Sequence, residues 1–259
     1  MLEINKVYQG DCLEVMKEID DNSIDLIVTS PPYDNLRTYN NNLEWNENVW
    51  RKIIQQIFRI TKPSGVVVWV IGDAMIKGSE SLTSFKQALY FVESGFNLHD
   101  TMIYEKHNFS NPSINRYHQI FEFMFVFSKG KPKTFNGIKD RKNVYGGKIG
   151  CYGKNTVRQA DGSFKERDKK VNTEFGLRHN IWRFKTEMKP SHPAQFPFEL
   201  AKDHIISWSN EGDIVLDPFA GSGTTGLACI NTNRNYILIE KEEKYCTIIN
   251  ERLNNVRNK

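Results

Sequence analysis

The sequence predicts an α/β fold with a doubly wound, mostly parallel sheet, and two observations predict it. Apolar runs such as Ile24–Thr29, 65–71 and Asn235–Glu240 carry few polar residues, as strands covered on both faces do. Segments of helical apolar spacing separate them, and Ile214–Asp217 leads through Gly221-Ser222-Gly223 into a further helix, the strand, glycine turn and helix of a βαβ unit. With 259 residues, 39% of them hydrophobic, the chain can bury the core of one large domain carrying an inserted or appended segment.

In chain order, residues 7–14 begin as a short strand running into Gly10-Asp11-Cys12-Leu13-Glu14, and a helix follows through Ile19. Asp11 suits the cap of that helix. The strand Ile24–Thr29 must stop at Pro31-Pro32, since neither proline can donate to a sheet ladder. The chain therefore leaves the sheet at Ser30 and sets Ser30-Pro31-Pro32-Tyr33 at the carboxyl edge, where open α/β sheets bind ligands. A hydroxyl, two stiff carbonyl-bearing residues and an aromatic ring suit gripping a planar group that bears an amine. A rigid turn closing a strand has the same composition. Residues 34–47 hold Arg37, Tyr39, three consecutive asparagines and Trp45 without a core pattern, which fits either a lid or a disordered loop.

Further along, residues 48–60 and 82–92 have helical spacing, and 65–71 reads as a buried strand. Two more strands, 98–106 and 120–128, flank Asn108-Phe109-Ser110-Asn111-Pro112. A helix over 199–208 follows His192-Pro193-Ala194-Gln195-Phe196-Pro197. Asp217 then closes its strand, and Gly221 and Gly223 let the backbone approach a ligand while opening a helix whose amino end favours negative charge. Glu240 ends the next strand about 20 positions later, the usual way to hold ribose hydroxyls. Gly223-Thr224-Thr225 lacks the lysine of a phosphate-cradling NTPase loop.

Charge is uneven. Net charge is +4, yet residues 130–190 carry 16 lysines and arginines against 6 acids, leaving 19 against 25 elsewhere. That stretch interleaves Tyr145, Tyr152, Phe164, Phe175 and Trp182 with glycines and basic residues, as nucleic-acid contact regions do; a solvated insertion is the plainer reading. No run reaches the ~18 apolar residues of a membrane helix, and the amino terminus lacks a signal-peptide pattern. A cytoplasmic protein is expected. Cys12, Cys151, Cys229 and Cys246 form no Cys-x-x-Cys pair and the histidines no His-x-x-x-His pair, so free thiols and no metal are expected.

The string from Asp217 to Thr224 and the tetrapeptide Ser30 to Tyr33 together resemble DNA methyltransferases that modify exocyclic amino groups with S-adenosylmethionine. The first is similar to that family's cofactor loop, the second to its catalytic tetrapeptide, which occurs as Ser-Pro-Pro-Tyr and Asp-Pro-Pro-Tyr. A catalytic motif that precedes the cofactor loop resembles the beta class, and the serine form resembles the N4-cytosine enzymes. The resemblance implies a Rossmann-like methyltransferase sheet with an inserted basic target-recognition region at 130–190, between a catalytic half at 1–129 and a cofactor half at 191–259.

The resemblance also implies roles. Ser30, Pro31, Pro32 and Tyr33 become catalytic, with Ser30 Oγ and the Pro31 carbonyl accepting the amino hydrogens and Tyr33 stacking on a flipped base. Asp11 and Cys12 would lie beside the cofactor's adenine, Pro218, Phe219, Ala220, Gly221, Ser222, Gly223 and Thr224 around the cofactor together with Asp217, Glu240 on the ribose, and His192 near the methionine pocket. Asn108, Pro112 and Glu122 would line the target-base pocket. Double-stranded DNA is the expected partner, with a cognate restriction endonuclease and a second copy of the chain as further partners. N6-adenine methylation, RNA methylation and a catalytically silent DNA-binding subunit remain open alternatives.

Overall fold

The apolar runs pair into one eight-stranded sheet. A computed structural model describes residues 2–33, 45–108, 114–149, 156–166, 171–184 and 197–257. The strands of the large sheet are β1 (Lys6–Gln9), β2 (Ile24–Thr29), β3 (Thr61–Ile71), β4 (Asn97–Lys106), β5 (Phe121–Ser128), β6 (Ile181–Phe184), β7 (Ile214–Asp217) and β8 (Asn235–Glu240). The helices are α1 (Cys12–Met16), α2 (Glu47–Ile60), α3 (Thr83–Glu93), α4 (Phe198–Trp208), α5 (Thr224–Ile230) and α6 (Glu243–Arg257). Strand order is β1-β8-β7-β2-β3-β5-β4-β6, and only β5 runs antiparallel to its neighbours.

Side chains alternate across a strand, so β3 feeds two cores. Val66, Val68 and Val70 join Leu200 and Ile205 of α4, Ala228 of α5 and Leu253 of α6. Val67, Trp69 and Ile71 join Ile53 and Ile57 of α2 and Phe91 of α3 on the opposite face. Helix α2 shows why the sequence folds this way locally: Asn46 accepts from the Val49 N–H at 3.1 Å as its cap, and Trp50, Ile53, Ile54, Ile57 and Ile60 make a single buried face.

The connections position the site. From β7 the chain crosses through α5 to β8, whereas from the adjacent β2 it crosses through α2 to β3, in the opposite direction along the sheet. Two neighbouring strands whose connections part in this way form a topological switch point, beyond whose carboxyl ends a ligand crevice opens.

Three features differ from the sequence expectation. The first helix ends at Met16 rather than Ile19, where the Arg59 guanidinium takes up the Met16 and Ile19 carbonyls at 2.7 and 2.9 Å and so satisfies groups that a longer helix would have paired itself. Strand β6 lies inside the stretch expected to be wholly insertion, yet it pairs parallel with β4 from Ile181↔Ile103 to Phe184↔Lys106. Consequently the unit that separates from the sheet is Gly137–His179, narrower than 130–190. Finally α6 was not anticipated; it buries Cys246, Ile249 and Leu253.

Within 137–179, Arg141–Lys142 pairs antiparallel with Phe175–Gly176 and Thr156–Arg158 with Phe164–Glu166. Arg178 forms an ion pair with Asp140, which holds that carboxyl below the usual carboxylate range. None of this unit's described residues is buried. Among the described residues no helix is long and apolar enough to cross a membrane.

Candidate active site

Strand β2 ends in Thr29, fully buried, and Ser30 follows at the rim. Thr29 Oγ1 donates to Asp217 Oδ1 at 2.6 Å, so one hydrogen bond joins the end of β2 to the end of β7 across the switch point. Beyond it the chain turns through Pro31 and Pro32, both buried, to Tyr33, while Ser30 is partly exposed. Ser30 Oγ donates to the Tyr33 hydroxyl at 3.0 Å, and the Tyr33 hydroxyl donates to Glu122 Oε2 at 2.9 Å. Lys106 Nζ stands 2.5 Å from Glu122 Oε1. Glu122, expected in the target-base pocket, thus has its carboxylate engaged behind Tyr33, whose ring packs in the core beside α2 and α3.

The loop after β7 is held from inside. Asp217, expected to touch the cofactor, is 1% exposed and faces inward instead. Its Oδ1 accepts from Thr29 Oγ1 and, at 3.1 Å, from the Phe219 N–H, and its Oδ2 accepts from Thr225 Oγ1 at 2.6 Å. Burial pushes this carboxyl up, and the bonds from Thr225, Thr29 and Phe219 oppose the shift. Asp217 is therefore the peg on which the loop hangs. Gly223 adopts φ +79°, and a Cβ there would stand 2.8 Å from Ile249 Cγ2 of α6, so the turn has room for glycine alone. Arg252 of α6 donates to the Ser222 carbonyl. Ser222 and Thr224 bring their hydroxyls within 3.5 Å of one another.

Glu240 closes the opposite side of this loop. Its Oε2 accepts from the Gly221 N–H at 2.8 Å and its Oε1 from the Glu242 N–H at 2.9 Å. Burial pushes its carboxyl above the ordinary glutamate value, against those N–H donors. Each carboxylate oxygen has two acceptor sites, so a vicinal diol can still be bound by the second on each. The Gly10 N–H donates to the Glu240 carbonyl at 2.9 Å, which brings Asp11 to the same edge. Asp11 caps α1 by accepting from the Leu13 N–H at 2.9 Å, and its other oxygen lies 4.0 Å from Lys241 Nζ. Burial and the neighbouring Asp11 charge push the Cys12 thiol up to about 12, leaving it neutral at physiological pH.

Of the other expected residues, Asn108 is exposed at the end of the segment after β4. Pro112, His192 and residues 34–44 lie outside the described residues. Sequence reasoning missed Thr29, Thr225, Lys106 and Arg252. For Thr29 a signal existed, because a hydroxyl that closes an apolar run must find a partner once buried.

A family model described as DNA methylase, for N6 and N4 methyltransferases, matches residues 24–251, from the first residue of β2 into α6. The chain belongs to the DNA methylase family. This DNA methylase is 56% identical over 252 residues to the orphan methyltransferase M.BamHII of Bacillus amyloliquefaciens, covering 93% of this chain and 92% of that one. Among solved structures it resembles M1.HpyAVI in its SAM complex, with TM-score 0.66 and 28% identity over 96% of this chain and 98% of the other. It also resembles the cytosine-N4-specific PvuII DNA methyltransferase, with TM-score 0.71 over 100% of this chain and 93% of the other. At 21% identity that likeness concerns the fold: the DNA methylase has the Rossmann-like methyltransferase sheet.

Proposed function

We propose that this DNA methylase transfers the methyl group of S-adenosylmethionine to the N4 amino group of cytosine in double-stranded DNA. The observation that carries the reading is the junction at the switch point, where the Thr29–Asp217 hydrogen bond sets the acceptor tetrapeptide beside the glycine loop. The serine that heads the tetrapeptide favours cytosine over adenine.

The residues fit the cofactor. Glu240 would offer acceptors to a ribose diol, the glycine loop would offer backbone and the hydroxyls of Ser222 and Thr224, and Asp11 would face the adenine. S-adenosylmethionine, when bound there, supplies an electrophilic methyl on a sulfonium. The chain's own task is to prepare the amine, whose lone pair is delocalised into the ring. Ser30 Oγ and the Pro31 carbonyl accept its two hydrogens and favour a tetrahedral nitrogen with an available lone pair. Proline keeps the carbonyl fixed, so little reorganisation is needed as charge develops. Transfer would form the N–C bond as the C–S bond breaks, and the nitrogen, made acidic by methylation, would release one proton to water.

Carbon-5 cytosine chemistry would need a thiolate. Among the described residues, Cys12 is pushed up to about 12 and Cys246 to about 11 by burial, and Cys229 is fully buried with its thiol pushed higher still; Cys151 lies outside them. For DNA, the unit 137–179 presents exposed Lys142, Arg158 and Lys165 with exposed Tyr145 and Phe164. Cations of this kind neutralise phosphates, and we assign the unit to target recognition.

The test is direct: duplex DNA treated with protein and S-adenosylmethionine is digested to nucleosides, and the products are identified by mass and chromatography. N4-methylcytosine is expected. N6-methyladenine overturns the choice of base, and label entering RNA but not DNA overturns the substrate. Ser30→Ala should abolish most transfer while cofactor affinity persists.

A further inference from the structure

The sequence does not say how a serine hydroxyl, which can donate or accept, comes to serve where an acceptor is required. If Ser30 donated outward, it would engage the lone pair that has to attack the methyl. The chain of groups behind Ser30 decides the matter. An ionised carboxylate can only accept hydrogen bonds and an ammonium can only donate them. Glu122 must therefore accept from the Tyr33 hydroxyl at 2.9 Å, which commits the Tyr33 proton. The Tyr33 oxygen is then left to accept from Ser30 Oγ at 3.0 Å, which commits the Ser30 proton as well. Only lone pairs of Ser30 Oγ remain to face outward.

We infer that Tyr33, Glu122 and Lys106 are positioning residues that orient the Ser30 hydroxyl and make it an obligate acceptor for the target amino group. The inference rests on the reading of Ser30 as the amine's partner. Lys106 anchors the series: its ammonium lies 2.5 Å from Glu122 Oε1, with the two side chains 21% and 9% exposed, and supplies the counter-charge that a buried carboxylate requires. Gly72, just after β3, lies against both side chains, 3.4 Å from Glu122 Cγ and 3.7 Å from Tyr33 Cε2 as measured from where a Cβ would stand. The series spans three strand ends, 30–33 after β2, Lys106 of β4 and Glu122 of β5. In an Asp-Pro-Pro-Tyr tetrapeptide the first residue accepts unaided; in this serine form the acceptor character comes from Glu122 at one remove.

Two variants test it, with single-turnover methyl transfer measured at saturating DNA and cofactor and cofactor affinity measured by calorimetry. Tyr33→Phe keeps the ring and removes the hydroxyl. Glu122→Gln turns its carbonyl to Lys106 and its amide N–H toward Tyr33, reversing the order of donation. Each should slow transfer by roughly tenfold or more, with cofactor affinity within about twofold of wild type. On a Ser30→Ala background Tyr33→Phe should cost nothing further, because it acts through Ser30. Unchanged transfer in Tyr33→Phe, or an equal loss with and without Ser30, overturns the inference. Should Glu122→Gln lose cofactor binding through misfolding, Tyr33→Phe with its double variant decides alone. A wild-type protein that puts no methyl on DNA overturns the proposed function and this inference together, whereas an active wild type with unaffected variants overturns the inference only.

Discussion

Replacing Asp217 by alanine separates a supporting role from direct contact with the cofactor. The carboxylate accepts from Thr29 Oγ1, Thr225 Oγ1 and the Phe219 N–H, and it is 1% exposed, so alanine would strand two buried hydroxyls and one partly buried N–H. Each stranded donor costs roughly 1–2 kcal/mol. The raised carboxyl pKa means that the buried charge is itself penalised, and removing it returns part of that loss. Thr225 Oγ1 also lies 3.4 Å from the Val28 carbonyl, a weak alternative partner. The balance is a destabilisation of about 3 kcal/mol, a large share of the ~5–15 kcal/mol that holds a domain folded. Urea unfolding of cofactor-free protein reads it as a lower midpoint with unchanged slope. Thr225→Val, which removes one donor and its partner's bond while keeping shape, should lose about 1 kcal/mol. If Asp217→Ala unfolds at the wild-type midpoint yet no longer binds cofactor, the side chain is a ligand contact and the reasoning fails.

Glu240 gives a pH signature. Its carboxyl is raised by burial, so the folded, cofactor-free protein holds this proton to higher pH than the unfolded chain. The stability it contributes is present below the unfolded value and is lost as pH rises through the folded value. In the proposed ribose role Glu240 acts in its ionised form, so affinity should weaken on acidification at a pH above that at which an ordinary glutamate titrates, and the same titration on Glu240→Gln should be flat. Equal slopes in the two proteins would remove Glu240 from the diol. Gly223→Ala should cost about 1–3 kcal/mol and Gly212→Ala less, because both have positive φ but only Gly223 faces Ile249, with nothing within 4 Å at Gly212. Identical urea midpoints for the two would show that the contact with Ile249 yields freely. Converting Lys142, Arg158 and Lys165 to glutamine should lower the slope of log affinity for DNA against log salt by roughly 2 to 3; an unaltered slope returns 137–179 to a solvated insertion.

What could be read in advance follows from the physics of each element. Strands β2, β3, β7 and β8 are buried on both faces, and that burial writes itself as uninterrupted apolar runs. Strand β6 has four residues, of which only Trp182 is buried, and it lies within a basic stretch, so no local pattern marks it. Helix α6 carried a readable signal in Cys246, Ile249 and Leu253, three and four residues apart, diluted by polar neighbours. In the site, Ser30 and Tyr33 were recognisable because the prolines forced the chain out of the sheet. The inward turn of Asp217 was not, since Thr29 lies 188 residues away in sequence, and the same holds for Tyr33 and Glu122, 89 residues apart. Local sequence tells which residues reach an edge; which way a carboxylate there points is decided by partners from other strands.

Strand β1 pairs with β8 alone, from Lys6↔Ile237 to Gln9↔Glu240, and stands outermost in the sheet. Strand β1 precedes every other strand of the sheet in sequence and β8 follows every other, so β1 has no ladder to join until β8 has been made. Asp11 travels with it, and Glu240 receives the Gly10 N–H only at that moment. The serine rim can be shaped earlier, as β2, β3 and β5 come together, but the wall beside it is raised from the first and last strands of the sheet. The edge that carries both is therefore complete only when the first and last strands of the sheet pair.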